Sequence, residues 1–262
     1  MTHDRQSVYA DKPAANERLT VRIKGWLNGL FNREKTKGTR QQEETPKAQK
    51  VRRVWAVDTG EGNRFSYEGA ASLKGKVRIS NGTNNELIIG KNSIFSGSIN
   101  VTGSGNLVEI GENCNFRGRI VVKGNKQTVR FGDNSSSVGT YILCQEGCDV
   151  IIGKWCMLSR DIEIRTTDAH SVIERSTGRR LNNPGSVEIG DHVWVGVGAL
   201  ISKGAKIPRD CIVAARSFVN LEFEEEGVVL AGLPAKIVKR GITWHRERRP
   251  HFHPADLCHW ET

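Results

Sequence analysis

The sequence predicts a mainly β protein folded as a parallel β-helix, in which short strands stack turn upon turn along one axis. The first observation is a 21-residue repeat of glycines, each preceded by an apolar residue: Gly90, Gly111, Gly132 and Gly153. The second is a six-residue repeat of aliphatic residues farther along the chain: Ile189, Val195, Ile201, Ile207, Val213 and Val219. Three hexapeptides make a turn of about 18 residues, so each longer turn is predicted to carry extra residues at one corner.

Aligning the repeats predicts which side chains point inward. One aliphatic column contains Leu87, Val108, Val129 and Val150, and a second contains Ile99, Ile120, Tyr141 and Ile162. Small residues recur at another inward position, where Cys114, Cys156 and Cys211 replace the serines of sister turns, Ser93 and Ser135. These cysteines are predicted to be small core fillers in a reducing compartment, and neither disulfides nor metal ligands.

Each turn also has a corner position suited to a positive φ angle, which glycine and asparagine adopt most readily. Asn92, Asn113, Asn134, His192 and Asp210 share this position. The alignment therefore predicts that His192 faces solvent at a turn and has a structural role.

The chain divides into three predicted regions. Residues 1–55 contain a short amphipathic helix, Glu17 to Glu34, and a charged linker, residues 56–241 form the β-helix, and residues 242–262 form a basic, His-rich tail. The helix could lie on an anionic membrane surface, or pack against the coil or a neighbouring subunit. The tail's histidines and cysteine match no standard zinc spacing, so we expect a flexible tail and no metal.

Charge and hydropathy narrow the classes of function. The net charge is +10, and residues 1–55 hold 13 Lys and Arg against 6 Asp and Glu, so the β-helix is only mildly basic. With no recognisable nucleic-acid-binding motif, we expect no nucleic-acid partner. No apolar stretch approaches the length of a membrane span and no signal-peptide core is present. We therefore expect a cytoplasmic protein, with the N-terminal helix as one candidate for peripheral contact with the inner face of the membrane.

The repeat is interrupted once, between Ile152 and Ile189, and the extra residues form a predicted loop at 166–184. Insertions in solenoid proteins are loops that project from one face, often the binding face. This loop contains His170, whose ordinary pKa near 6.5 suits a general base. Without further signals, however, a lone histidine in a loop is usually just a solvated surface residue.

Several motifs around and beyond this loop carry a resemblance to a known family. They are DAH at 168–170, VEIGDHVWVG at 187–196, ISKGAKIP at 201–208, IVAARSFV at 212–219 and AGLPAKIVKR at 231–240. The chain resembles the hexapeptide-repeat acyltransferases over Asp168 to Arg240, and most of all the galactoside, maltose, antibiotic and capsule O-acetyltransferases. The resemblance implies a left-handed β-helix, a homotrimer, acetyl-CoA as acyl donor and active sites between adjacent subunits.

The resemblance also implies roles for individual residues. His170 matches the catalytic base, and Trp194 matches a residue that lines the acceptor and pantetheine channel. Val197 and Ala215 match contacts to the pantetheine arm, while Lys239 matches a residue near the adenosine end. Asp168 is a candidate for substrate binding or for orienting His170. Arg216 departs from the family, since a glycine is expected there, and either its guanidinium meets a phosphate of coenzyme A or the cofactor binds in a shifted pose.

From these features we predict an acetyl-CoA-dependent O-acetyltransferase acting on a sugar hydroxyl, in a bacterial capsular polysaccharide, exopolysaccharide or lipopolysaccharide. Transfer is predicted to be direct, because no serine or cysteine nucleophile is evidently paired with His170. A sugar-nucleotide N-acyltransferase and a non-catalytic β-helix scaffold are the alternatives. A γ-class carbonic anhydrase would need three histidines around a metal, and the repeat region contains only His170 and His192.

Overall fold

The structure is a computed structural model that describes residues 55–58 and 60–261. The predicted N-terminal helix lies outside these residues. The first half of the coil contains nine strands, in which long and short strands alternate from β2 onward: β1 (Trp55–Asp58), β2 (Arg64–Ser66), β3 (Ser72–Ser80), β4 (Glu86–Ile89), β5 (Ile94–Thr102), β6 (Leu107–Ile110), β7 (Asn115–Lys123), β8 (Thr128–Phe131) and β9 (Ser136–Gln145).

The second half consists of shorter strands: β10 (Val150–Ile152), β11 (Met157–Leu158), β12 (Ile162–Arg165), β13 (Val187–Ile189), β14 (Trp194–Val195), β15 (Leu200–Ile201), β16 (Lys206–Ile207), β17 (Ile212–Val213), β18 (Phe218–Val219), β19 (Val229–Gly232) and β20 (Ala235–Lys239). A 3₁₀-helix at Pro254–Asp256 lies in the C-terminal segment. No helix among the described residues is long and apolar enough to cross a membrane.

The strands stack in parallel from turn to turn, and β20 alone among the described strands pairs antiparallel, with β19. We call the sheet β2-β4-β6-β8-β10-β13-β16 the first face. The second face contains β11, β14, β17 and β19, and the third contains β12, β15 and β18; the long strands β3, β5, β7 and β9 bend across both. The predicted parallel β-helix is confirmed.

The inward columns form one continuous core along the axis. The hexapeptide column from Ile189 to Val219 is buried throughout, and so is the column from Leu87 to Val150. Phe95, Phe116 and Phe131 are completely buried and meet ring to ring, with centroids 6.0 and 5.2 Å apart. No single turn could bury its own apolar side, so the stability of the coil comes from contacts between neighbouring turns.

The three cysteines at the small inward position are buried, as predicted for core fillers. Burial raises the pKa of Cys114 to about 11 and that of Cys156 to about 12. Their thiols therefore stay protonated near neutral pH and serve as packing groups, because only a thiolate is a strong nucleophile.

The predicted second column is wrong at Tyr141, whereas Ile162 is buried as predicted but pairs with Thr140. A β-bulge in β9 places Val138 and Gly139 opposite the single residue Arg117, so Ile120 pairs with Ile142. Ile142 in turn pairs with Ile164. The extra residue shifts the remainder of β9 by one position, which turns Tyr141 outward to a half-buried position on the third face.

Candidate functional site

The inserted loop projects from the corner between the third and first faces. It folds back on itself through a bridge between Ile173 and Arg180. Arg180 then binds the Glu146 carboxylate through both terminal nitrogens, at 2.5 and 3.2 Å, and the Thr167 hydroxyl donates to the same carboxylate. The hydrogen bond from Arg180 is the main cause of a lowered pKa at Glu146. The loop is thereby fastened to the coil by a charge-assisted contact.

His170 lies exposed on this loop, and hydrogen bonds hold the backbone around it in place. The Asn182 amide donates to the His170 carbonyl and to Asp168 Oδ2, both at 2.8 Å. Lys203 Nζ, on the coil, binds the same Asp168 oxygen at 2.5 Å and is the main cause of the lowered pKa of Asp168. Asp168 therefore acts on the loop backbone, while the imidazole of His170 has no hydrogen-bond partner among the described residues.

Four of the predicted donor-binding residues meet at the corner between the second and third faces. Trp194 points outward with 38% of its surface exposed and pairs with Ile212. The Arg216 backbone N–H donates to the Val197 carbonyl at 2.9 Å, and Ala215 and Arg216 are both exposed. We call this region, containing Trp194, Val197, Ala215 and Arg216, the donor corner.

Lys239 belongs to the same outer surface. It pairs with Val229, which pairs with Ile212, the ladder neighbour of Trp194. Lys239 therefore lies three strand spacings from Trp194, about 14 Å along the axis at roughly 4.8 Å per strand. The chain brings these five residues onto one side of the coil. It does not bring His170 or Asp168 to them, since the loop projects from the corner at the opposite edge of the third face.

The C-terminal segment corrects two predictions. Residues 242–261 are not a flexible tail but pack along the corner between the first and second faces, and we call them the C-terminal strap. His192 does adopt the predicted positive φ, 54°, yet it is only 1% exposed. Its ring is sandwiched between Trp244, at 4.3 Å, and Trp260, at 4.6 Å, nearly parallel to both. The corner alignment was right, but it could not show that the strap covers this corner.

Polar contacts fix the strap along several turns. Asp210 Oδ1 accepts hydrogen bonds from His192 Nδ1, at 2.8 Å, and from the Thr243 hydroxyl, at 2.7 Å. The Trp244 indole donates to the His192 carbonyl at 2.8 Å. Arg246 reaches two turns back, where it donates to the Ser136 hydroxyl at 2.6 Å.

Trp244 connects the strap to the donor corner. Its ring lies 6.1 Å from that of Trp194, inclined by 47°. Sequence reasoning missed this residue because its partners, His192 and Trp194, lie about 50 residues earlier in the chain. The apolar rings of Trp244 and Trp260 in an otherwise basic segment were the available signal.

The burial of His192 predicts a pH dependence of stability. Desolvation lowers its pKa below the ordinary value of 6.5, although the hydrogen bond that His192 donates to Asp210 acts in the opposite direction. As the pH falls below 6.5 the unfolded chain takes up a proton that native His192 resists, so stability should fall by at most about 1.4 kcal/mol per pH unit. Urea unfolding at pH 7.5 and 5.5 measures this slope.

Two variants test whether His192 causes the slope. His192→Asn, which tolerates the positive φ, should reduce the slope, whereas His251→Gln in the exposed part of the strap should retain it. An unchanged slope in His192→Asn would contradict the assignment.

Comparison with known proteins agrees with this architecture. No protein-family model matches the chain. The polysialic acid O-acetyltransferase of Neisseria meningitidis is 35% identical over 98 residues, which cover 37% of this chain and 46% of that protein. The polysialic acid O-acetyltransferase of Escherichia coli O1:K1 is 33% identical over 99 residues, covering 38% of this chain and 32% of that protein. The matched stretch thus spans less than half of either curated relative.

Similarity to solved structures extends over more of the chain. The polySia specific acetyltransferase NeuO superposes with a TM-score of 0.69 at 29% identity, covering 76% of this chain and 92% of that chain. The polysialic acid O-acetyltransferase OatWY superposes with a TM-score of 0.52 at 27% identity, covering 78% and 99%. The handedness expected from the sequence motifs is that of these acetyltransferase structures. The chain has the left-handed β-helix fold of these acetyltransferases and is similar in sequence to polysialic acid O-acetyltransferases over part of their length.

Proposed function

We propose that this protein is an acetyl-CoA-dependent O-acetyltransferase whose acceptor is a sugar hydroxyl in a carboxylate-bearing polysaccharide of the bacterial surface. The observation that carries the proposal is the single loop inserted into the coil, which presents an exposed His170 on a backbone held by Asn182, Asp168 and Lys203. A scaffold protein would not need a histidine presented in this way. The acceptor class is inferred from the similar proteins, which are named polysialic acid O-acetyltransferases.

His170 is the general base in the proposed mechanism. An imidazole nitrogen takes the proton of the acceptor hydroxyl while the oxygen bonds to the acetyl carbonyl carbon. The carbon–sulfur bond of the thioester then breaks, and His170 returns the proton to the leaving thiolate. The Asn182 bridge between the His170 carbonyl and Asp168 would keep the ring in place during both proton transfers.

The donor corner fits a thin, extended, anionic ligand. Trp194 supplies an exposed aromatic face, Ala215 leaves room for a pantetheine arm, and Arg216 and Lys239 supply cations for phosphates. Since His170 projects from a different corner of the same chain, we propose a homotrimer. In such an assembly the loop of one subunit lies against the donor corner of the next.

Incubation of the full-length protein with acetyl-CoA and polysialic acid tests the proposal. We expect free thiol to appear together with alkali-labile acetyl esters on the glycan, detected by mass spectrometry. Neutral dextran should be a poor acceptor. Alkali-stable acetylation of an amino-sugar nucleotide, with no esters on any glycan, would instead identify an N-acyltransferase.

Arg216 gives a separate prediction about the donor. Its φ of 57° is one that glycine adopts without strain, so Arg216→Gly should fold at least as stably as the natural protein. Losing a charge-assisted phosphate contact should raise the KM for acetyl-CoA about tenfold, while kcat changes little because the contact is equally strong in the ground and transition states. Steady-state kinetics with acetyl-CoA and its dephospho analogue would identify the phosphate. An unchanged KM would mean that Arg216 does not contact the donor.

A further inference from the structure

A shallow groove on the third face coincides with the β-bulge that displaced the predicted column. It has a volume of about 420 Å³ and is lined by Gly118, Arg119, Gly139, Tyr141, Asp161 and Glu163, among others. The groove exists because Val138 and Gly139 together oppose Arg117, which bends β9 and turns Tyr141 outward. We call it the bulge groove.

The bulge groove offers one unpaired cation next to an aromatic ring. The Arg119 guanidinium lies over the Tyr141 ring, 5.7 Å from its centroid, and is exposed to solvent. Arg119 forms no ion pair among the described residues, whereas the two carboxylates of the groove are each paired with a neighbour, Asp161 with Arg160 and Glu163 with Arg165. The groove therefore presents a guanidinium free to bind an added carboxylate.

The groove lies on the same corner as the proposed donor residues. The Gly198 N–H donates to the Arg160 carbonyl at 3.1 Å, and the Arg216 N–H donates to the Val197 carbonyl at 2.9 Å. Asp161, Gly198 and Arg216 are thus successive members of one corner column, with φ angles of 59°, 69° and 57°. A ligand in the groove would lie about one or two turns, roughly 5–10 Å, from the donor corner along the axis.

We infer that the bulge groove binds a carboxylate-bearing sugar residue of the acceptor glycan. The sugar ring would rest on Tyr141 and its carboxylate would pair with Arg119. This inference rests on the proposed function, whose acceptor it deepens by assigning residues that recognise the anionic sugar. An extended glycan held here would run along the corner toward the donor residues.

Gly139 provides a sharp test, because a side chain there would occupy the groove without straining the fold. A Cβ at this position would meet its nearest neighbour, Arg160 Cα, at 3.6 Å, an ordinary van der Waals contact. Gly139→Leu should therefore fold and block the groove, and Arg119→Ala should remove the cation. Arg130→Ala is the matched control, since Arg130 also carries an exposed guanidinium but lies on the first face beside Glu109.

Calorimetric titration of each variant with polysialic acid, without acetyl-CoA, separates binding from catalysis. We expect both groove variants to weaken binding about tenfold or more, equivalent to about 1.4 kcal/mol, and Arg130→Ala to change it less than twofold. The KM for acetyl-CoA should stay unchanged in all three. Unchanged affinity in the groove variants, an equal loss in the control, or no binding by the natural protein would overturn the inference. Binding that depends on Arg119 in a protein without acetyl transfer would overturn the proposed function but support the groove.

Discussion

Replacing His170 with alanine should abolish most acetyl transfer without disturbing the fold. The His170 side chain is exposed and makes no hydrogen bond among the described residues, so its removal leaves no buried group unsatisfied. General-base catalysis by a positioned histidine contributes about 10²- to 10⁴-fold. We therefore expect kcat to fall at least about 100-fold while the melting temperature stays within a degree or two. Initial rates of thiol release, with a thermal melt of the same preparation, measure both.

His251→Ala is the matched control, because His251 is also exposed and lies in the strap, away from the loop. It should retain full activity. Near-normal turnover by folded His170→Ala would contradict the assignment of the base.

The contribution of the loop backbone to catalysis can be tested at Asn182, which holds the His170 carbonyl. Asn182→Ala removes the donor that joins the His170 carbonyl to Asp168, and we expect a smaller loss of kcat with little change in the KM for acetyl-CoA. A loss as large as that of His170→Ala would mean that Asn182 itself contacts the reacting groups.

The features that the sequence could predict are those whose residue pattern recurs in every turn. Ile189 and Val195 are inward because an aliphatic residue recurs six positions apart, and Asn92 and Asn113 lie at corners because positive φ restricts the choice of residue. These preferences are local, and repetition multiplies the signal. The same repetition placed His170 on a loop, because the interruption of a regular ladder is visible in sequence spacing alone.

What the sequence could not predict depends on contacts between distant residues. The bulge at Val138 and Gly139 adds one residue inside a strand, and the aliphatic residues on both sides make either register plausible. The packing of the C-terminal strap could not be predicted from the sequence for a similar reason. Arg246 binds Ser136, which lies about 110 residues earlier, and no local pattern encodes such a contact.

The strap carries the second large expected effect, through Trp244. This residue is 6% exposed, stacks on His192, donates its indole N–H to the His192 carbonyl and meets Trp194 of the donor corner. Truncating a buried tryptophan to alanine typically costs about 3–5 kcal/mol, because contacts are lost and a cavity remains. We expect Trp244→Ala to lower the free energy of unfolding by that amount, measured by urea titration at pH 7.5.

Two further variants show which contacts matter. Trp244→Phe keeps a ring against His192 but loses the indole hydrogen bond, so it should cost only about 1 kcal/mol. Phe252→Ala removes a ring whose neighbours, His245 and Arg249, belong to the strap itself, and should cost less than about 1 kcal/mol.

Trp244 should also affect the donor corner, because its ring is the aromatic neighbour of Trp194. If Trp244 holds the Trp194 indole in position, Trp244→Ala should raise the KM for acetyl-CoA at temperatures where the variant remains folded, and Trp244→Phe should restore it. A strap that served only to cover His192 would change stability and leave that KM unaltered. Should Trp244→Ala unfold at the same urea concentration as the natural protein, the strap would contribute nothing to stability, and the burial of His192 would need another explanation.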